Sequence, residues 1–261
     1  MRHEGRNIKL LIAYDGTDFY GWQRQGESPC RTRPFRTVQE EIELALKKMH
    51  GTAVQLTGAG RTDTGVHAIG QAANFYTSMK NIPADRFAPA LNALLPHDVR
   101  IISACETTPE FHARFSACWR TYRYHFICRR QALPHENRYN LQLWRFPELE
   151  TLNAYGRLLT GEIDCSIFAS IGDPSKSKNR YIYNACFFIE GERLIFEIRA
   201  NAFLRKMVRS IAGTFLHYEE KGTPPEKLRE IIDSGDRSLA GATMPPQGLF
   251  LWKVGYGTGN C

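Results

Sequence analysis

The sequence predicts an α+β fold. Strand-type and helix-type patterns interleave in both halves of the chain, an alternating run occupies 117–128, and Glu190-Gly191-Glu192 joins two further strand candidates in hairpin style.

Ile8 to Tyr14 (IKLLIAY) is a short apolar run of strand formers that ends at the turn signal Asp15-Gly16. Thr37-x-x-Glu40 reads as a capping box. Behind it Val38, Ile42, Ala45, Leu46 and Met49 recur at helical spacing, which predicts an amphipathic helix over 37–50. Ala53 to Leu56 is a brief strand candidate that runs into the glycine-rich segment 58–65. Gln71 to Tyr76 reads as a strand, 83–95 as a helix opened by Pro83, and Val99 to Ala104 as a further strand. From Ala117 to Cys128, Tyr122, Tyr124, Phe126 and Cys128 fall on one face, and Thr121, Arg123, His125 and Ile127 on the other. Residues 148–160 look helical and stop before Gly161; strands follow at 181–189 and 193–200. A long helix is predicted over 202–219, with Leu204, Met207, Val208, Ile211, Ala212 and Phe215 on its apolar stripe. Pro224-Pro225 opens another helix to about 233, and Leu249 to Tyr256 reads as the last strand.

The chain has 261 residues, enough for one large domain or two ordinary ones, each with a real core. The polar stretch 104–116 lies between two strand-rich regions and suggests a division into 1–110 and 111–261. Lys plus Arg is 34 against 27 for Asp plus Glu, a net charge of +7 that favours polyanionic partners, nucleic acids first. The seven cysteines (Cys30, Cys105, Cys118, Cys128, Cys165, Cys186 and Cys261) form no CxxC and match neither a zinc site nor a secreted disulfide scaffold. They read as reduced and mostly buried in a cytoplasmic protein. MRHEGRNIKL has no apolar signal-peptide core, and no stretch approaches the roughly 20 apolar residues that span a bilayer.

The segment Gly58-Ala59-Gly60-Arg61-Thr62-Asp63-Thr64-Gly65-Val66-His67-Ala68 is the strongest candidate for chemistry. Three glycines in eight positions allow backbone conformations with φ > 0, so a loop can be held close to a ligand. In an extended segment Arg61 and Asp63 share one side, where a guanidinium could keep the carboxylate ionised and oriented as nucleophile or general base. A surface turn with an ordinary Arg–Asp pair fits the same pattern. It is not a P-loop, because no Gly-Lys-Ser/Thr follows the glycines.

Gly60 to Ala68 (GRTDTGVHA) resembles the signature of the TruA family of tRNA pseudouridine synthases, close to G-R-T-D-A-G-V-H-A. Further stretches resemble the same family in the same order: 14–23 (YDGTDFYGWQ), 91–96 (LNALLP), 111–117 (FHARFSA), 120–124 (RTYRY), 200–209 (ANAFLRKMVR) and 248–251 (GLFL). The resemblance implies two related halves, each an antiparallel sheet with helices on one face, with an active-site cleft between them. It implies a cofactor-free, metal-free isomerase that converts uridine to pseudouridine at positions 38, 39 and/or 40 of the tRNA anticodon stem-loop, as a cytoplasmic homodimer. Carried over by position, Asp63 is the catalytic aspartate and Arg61 the arginine that helps displace the target nucleotide. Tyr122 is the tyrosine that packs on the target base, and Arg209 pairs with the catalytic carboxylate. By residue type alone, Tyr122 is a core strand residue and Arg209 a solvated one beside an apolar stripe. Arg205 and Lys206, flanking that stripe, are expected to hold phosphate.

Thr64 stands where the family commonly has Ala, and the family's Thr-Arg-Thr-Ile-like segment appears only as Asn179-Arg180-Tyr181-Ile182. The basic loop 172–180 reads equally as an RNA contact or a solvated loop. His67, His112 and His125 are expected in structural or RNA-contact roles. Two rival readings are a catalytically inactive RNA-binding module of the same fold and a carboxylate-dependent hydrolase. Retention of Asp63, Arg61, Tyr122 and Arg209 together argues against the first, and the basic balance against the second.

Overall fold

The structure, a computed structural model, describes residues 5–25 and 35–257. In chain order its elements are β1 (Arg6–Tyr14), α1 (Val38–His50), β2 (Thr57–Gly58), β3 (His67–Thr77), α2 (Phe87–Asn92), β4 (Val99–Thr107), β5 (Ala117–Cys128), β6 (Leu141–Leu143), α3 (Leu149–Leu158), β7 (Gly161–Asp164), β8 (Asn179–Glu190), β9 (Arg193–Ala200), α4 (Met207–Glu220), α5 (Pro225–Asp233) and β10 (Leu249–Tyr256). The α+β expectation holds. The chain packs as two compact units: residues up to Cys118 with those from Leu251 onward, and Trp119–Phe250. The sequence placed its division at 110/111.

In the first unit the strand order is β4-β1-β3-β10, with β2 added on β3. The β1/β3, β1/β4 and β2/β3 pairs are antiparallel. Phe75 of β3 meets His50 of α1 edge-on and Phe87 of α2 at 5.5 Å, so both helices cover one face of the sheet. Burying aromatics of this size contributes about 1.5–3 kcal/mol each. The stretch 104–116 is no linker. Asn7 Nδ2 donates to the carbonyls of Thr108 and Phe111, and the buried Asn74 side chain accepts from Ala113 N–H and donates to Asn7. Phe111 and Ala113 thereby join a buried cluster with Ala59 and Ala72, against which Val254 and Tyr256 pack.

In the second unit the order is β7-β8-β9-β5, antiparallel throughout, with a three-residue parallel addition of β6 on β5. Phe215 of α4 packs on Phe187 and Phe196, register partners on β8 and β9, and Tyr155 of α3 packs on Phe215. A Cβ at Gly156 would lie 2.2 Å from the Ala185 carbonyl oxygen, so only glycine lets α3 settle this close to β8.

Strand β3 begins at His67 rather than 71 and α2 covers only 87–92 of the helix expected over 83–95, and three further details differ from expectation. The capping box is not made: Thr37 sits at the α1 N-cap without a side-chain cap bond. The N–H groups of Val38 and Gln39 donate instead to the carbonyls of Gly21 and Trp22. The brief strand lies at 57–58, where it pairs with β3, rather than at 53–56. Helix α4 begins at Met207, not 202. Asn201 Oδ1 accepts from Ala202 N–H, Arg205 N–H goes to Asp173, and Lys206 adopts a left-handed φ of 62°.

Of the described cysteines, Cys128 and Cys165 are buried, Cys105 and Cys186 half-buried and Cys118 exposed, none in a disulfide, so they are less buried than expected. Cys30 and Cys261 lie outside the described residues. Burial pushes the Cys128 thiol up to about 11 and that of Cys165 to about 12. No helix among the described residues is long and apolar enough to cross a membrane.

Candidate active site

The loop between β2 and β3 carries Arg61 and Asp63, and segment 15–23 after β1 is bonded to it along its length. Trp22 N–H donates to the Thr62 carbonyl at 3.2 Å, and Gly65 N–H donates to the Phe19 carbonyl at 3.2 Å. The Tyr14 and Thr62 hydroxyls share a buried hydrogen bond of 2.8 Å. Gly16 N–H donates to Nδ1 of the buried His67 at 3.0 Å. Asp15 Oδ1 approaches the same nitrogen at 3.2 Å. His67 is structural here, as expected. His112 also serves structure, its Nδ1 accepting from the N–H groups of Arg114 and Phe115.

The glycines of the two segments divide the work. Gly65 takes φ +76°, inside the turn closed by Val66 N–H on the Asp63 carbonyl at 3.2 Å. Gly21 takes φ +85°, and a Cβ there would lie 2.5 Å from the Thr62 carbonyl oxygen. Gly58 and Gly16 are needed for space: a Cβ would enter the Trp22 ring at 2.4 Å or the Val66 carbonyl at 2.0 Å. Gly60 has open space around it and no positive φ. Only one of the three glycines in 58–65 therefore uses the conformational freedom that the sequence suggested.

Asp63 is half-buried and Arg61 exposed. Arg61 Nε donates to Gln23 Oε1 at 3.1 Å, and Gln23 Nε2 donates to Oε1 of the buried Gln39 on α1 at 2.9 Å. Gln39 also donates to the Leu56 carbonyl, so one buried amide ties α1 to the entry of the loop. Arg36 completes the anchorage, with a paired contact to Asp98 at 2.6 and 2.9 Å, a bond to Glu41, and its guanidinium 4.2 Å above the Phe19 ring. These bonds raise the already high pKa of Arg36. The roles of Gln23, Gln39, Arg36 and Thr62 escaped the sequence, although Tyr14 to Gln23 was marked as a motif. Thr64 is exposed, which accommodates its hydroxyl.

The second unit holds the other expected residues. Tyr122 on β5 is opposite Ile198 of β9, only 8% exposed, its ring edge-to-face with Phe203 at 5.0 Å. Arg209 on α4 donates Nε to the Met244 carbonyl at 2.6 Å, and Met244 N–H returns a bond to the Arg209 carbonyl at 3.2 Å. Tyr124 donates its hydroxyl to the Pro245 carbonyl. Burial drives its phenol well above the usual range, and the nearby Arg209 charge opposes that rise. Segment 241–246 lies tightly on α4, since a Cβ at Gly213 would sit 1.9 Å from the Ala242 carbonyl oxygen. Arg205 and Lys206 are exposed and line one groove together with Arg237, a residue that the sequence did not single out.

A family model described as tRNA pseudouridine synthase matches residues 10–116 and 157–257. The chain belongs to the tRNA pseudouridine synthase family. Its relatives named tRNA pseudouridine synthase A include one from Treponema denticola, 50% identical over 96% of this chain and 93% of that protein. Another, from Treponema pallidum (strain Nichols), is 47% identical over 98% of this chain and 88% of that protein. One from Caldicellulosiruptor bescii is 41% identical over 96% of this chain and all of that protein. Membership in the tRNA pseudouridine synthase family makes the chain an isomerase that acts on tRNA.

Proposed function

We propose that this chain converts uridine to pseudouridine in the anticodon arm of tRNA, at positions 38, 39 and/or 40, with Asp63 as the reacting carboxylate. The observation that carries the reading is the Asp63 loop. A half-exposed carboxylate stands on a loop held through the backbone of Thr62 and Gly65 and through the imidazole of His67, in a chain of this family. Such pre-organisation suits a group that must meet one atom of a large substrate.

The reaction breaks the N1–C1′ bond, turns the freed uracil and joins C5 to C1′; C5 loses a proton and N1 gains one. A carboxylate serves either available route, addition to the sugar or proton removal from it. The target base is stacked in the RNA helix and must be extruded first. Arg61, exposed and held by Gln23, is assigned to displace the nucleotide, and Tyr122 to pack on the extruded base. Arg209 is assigned to pair with the Asp63 carboxylate, and Arg205 and Lys206 to the phosphate backbone. The protein works as a cytoplasmic homodimer in this reading. A catalytically inactive RNA-binding module of the same fold is the alternative.

Incubation with an unmodified tRNA transcript, followed by mapping of pseudouridine, tests the proposal. Product at 38, 39 or 40 is expected from the wild type and none from Asp63→Asn or Asp63→Ala, with tRNA affinity nearly intact in both. Turnover by Asp63→Ala would overturn the mechanism, and wild-type tRNA binding without product would favour the inactive module.

A further inference from the structure

The basic loop 174–180 has no role in the reaction outlined above, yet its placement is specific. Asp173, its side chain only 3% exposed, accepts Lys178 Nζ at 2.8 Å, Ser175 N–H at 2.9 Å and Arg205 N–H at 2.8 Å. Arg180 donates to the carbonyls of Ser177 and Asn179 within the loop. Two of the three cations in this stretch are therefore spent on its own folding, and Lys176 is exposed. The Asp173–Arg205 bond clasps the loop to the turn before α4. Lys206, next along, holds its left-handed φ of 62°, a conformation that a non-glycine residue keeps only where its surroundings over-determine it.

Arg205, to which the clasp is made, borders a groove of about 540 Å³ with Ser170, Ile171, Lys206, Arg237 and Thr243. Arg237 is braced by donating Nη2 to Thr243 Oγ1 at 3.2 Å. Three cations and no carboxylate line the groove among the described residues. Ile171 at its edge is 96% exposed. A site for a small free anion has no use for an exposed aliphatic side chain, whereas a nucleotide chain offers both phosphate and an apolar ribose or base face.

We propose that this groove grips the phosphate backbone of the RNA substrate, that Arg237 is a direct contact, and that Asp173 is the positioning residue that keeps the groove in shape. The proposal rests on the reading of the chain as a tRNA-modifying enzyme and adds a substrate contact that the motifs did not reveal.

The test measures affinity of the full-length protein for an unmodified tRNA transcript across a salt series, beside KM and kcat for pseudouridine formation. Arg237→Ala is expected to weaken binding about three- to tenfold and to reduce the slope of log K against log salt by about 1, one phosphate contact. KM should rise in step. Lys227→Ala removes an exposed cation on α5 outside the groove and should leave the slope unchanged. Asp173→Asn decides the clasp by its sign. It makes the protein one charge more positive, so bulk electrostatics would tighten RNA binding, whereas loss of the clasp weakens it. A thermal melt run alongside confirms that the variant is folded. An unchanged slope in Arg237→Ala would overturn the groove, and unchanged or tighter binding by folded Asp173→Asn would overturn the clasp. A wild type that binds tRNA through Arg237 yet forms no pseudouridine would refute the proposed activity and leave the groove standing.

Discussion

Gly21→Ala should damage this protein more than its size suggests, although residue 21 is not in the Asp63 loop. Gly21 holds φ +85°, and a Cβ there would stand 2.5 Å from the Thr62 carbonyl oxygen, where ordinary contact begins near 3.4 Å. The left-handed backbone costs an alanine about 1–2 kcal/mol. Relief of the overlap costs about 1–3 kcal/mol more, because the listening partner is backbone and cannot rotate away. The Thr62 carbonyl also accepts Trp22 N–H at 3.2 Å, so segment 20–22 and the loop must separate together. The sum, about 2–5 kcal/mol, corresponds to a fall in Tm of roughly 5–15 °C for a chain of this size. Asp63 follows Thr62 directly, and a shift approaching 1 Å at a reacting group costs about 100-fold in rate. Calorimetry and single-turnover pseudouridine formation on a tRNA transcript measure both effects. Gly60→Ala is the control in the loop itself: no atom lies within 4 Å of its Cβ, so stability should stay level or rise by about 0.4–1 kcal/mol. Wild-type Tm and rate in Gly21→Ala, or equal damage from Gly60→Ala, would refute the claim that segment 15–23 fixes the loop.

Tyr122→Phe should keep most activity, whereas Tyr122→Ala should lose about 1–3 kcal/mol of base stacking in single-turnover rate at saturating tRNA. Loss of activity in Tyr122→Phe would show instead that the hydroxyl is what matters. Arg209→Ala should slow single turnover on the order of 100-fold, as for removal of one oriented donor at a reacting centre; a wild-type rate in a folded variant would remove Arg209 from the site. Asp173→Asn should lose about 1.5–3 kcal/mol of stability at neutral pH, from charge-assisted hydrogen bonds. Burial alone would raise the Asp173 carboxyl, but bonds from Lys178, Arg205 and Ser175 hold it well below the carboxylate range. A lowered folded pKa gives stability that is complete above the unfolded value of about 3.9 and fades as pH falls through the folded one. The Tm gap to wild type should therefore be constant from about pH 5 to 8 and shrink progressively below about pH 4; a gap as wide at pH 2 as at neutral pH would contradict the ion-pair account.

The periodicities at 8–14, 37–50, 117–128 and 249–256 were legible because each element buries one face, and burial writes a repeat of 2 or 3.6 into the residues themselves. The motif at 60–68 was legible as a string, and so was the likeness of 14–23 to the same family. The sequence by itself thus determined the α+β class, most strand positions and the family to which the chain belongs. Only the tertiary structure decided that 15–23 is bonded along the Asp63 loop, that Gln39 holds Gln23 and Gln23 holds Arg61, and that Gly21 rather than Gly60 is the glycine without slack. It also decided that the predicted helix over 202–219 starts at Met207 and that the polar stretch 104–116 is stitched to Asn7 and Asn74. These features share one physical cause. Each depends on a hydrogen bond or a close approach between residues far apart in the chain, and such a contact leaves no period in the residues that make it.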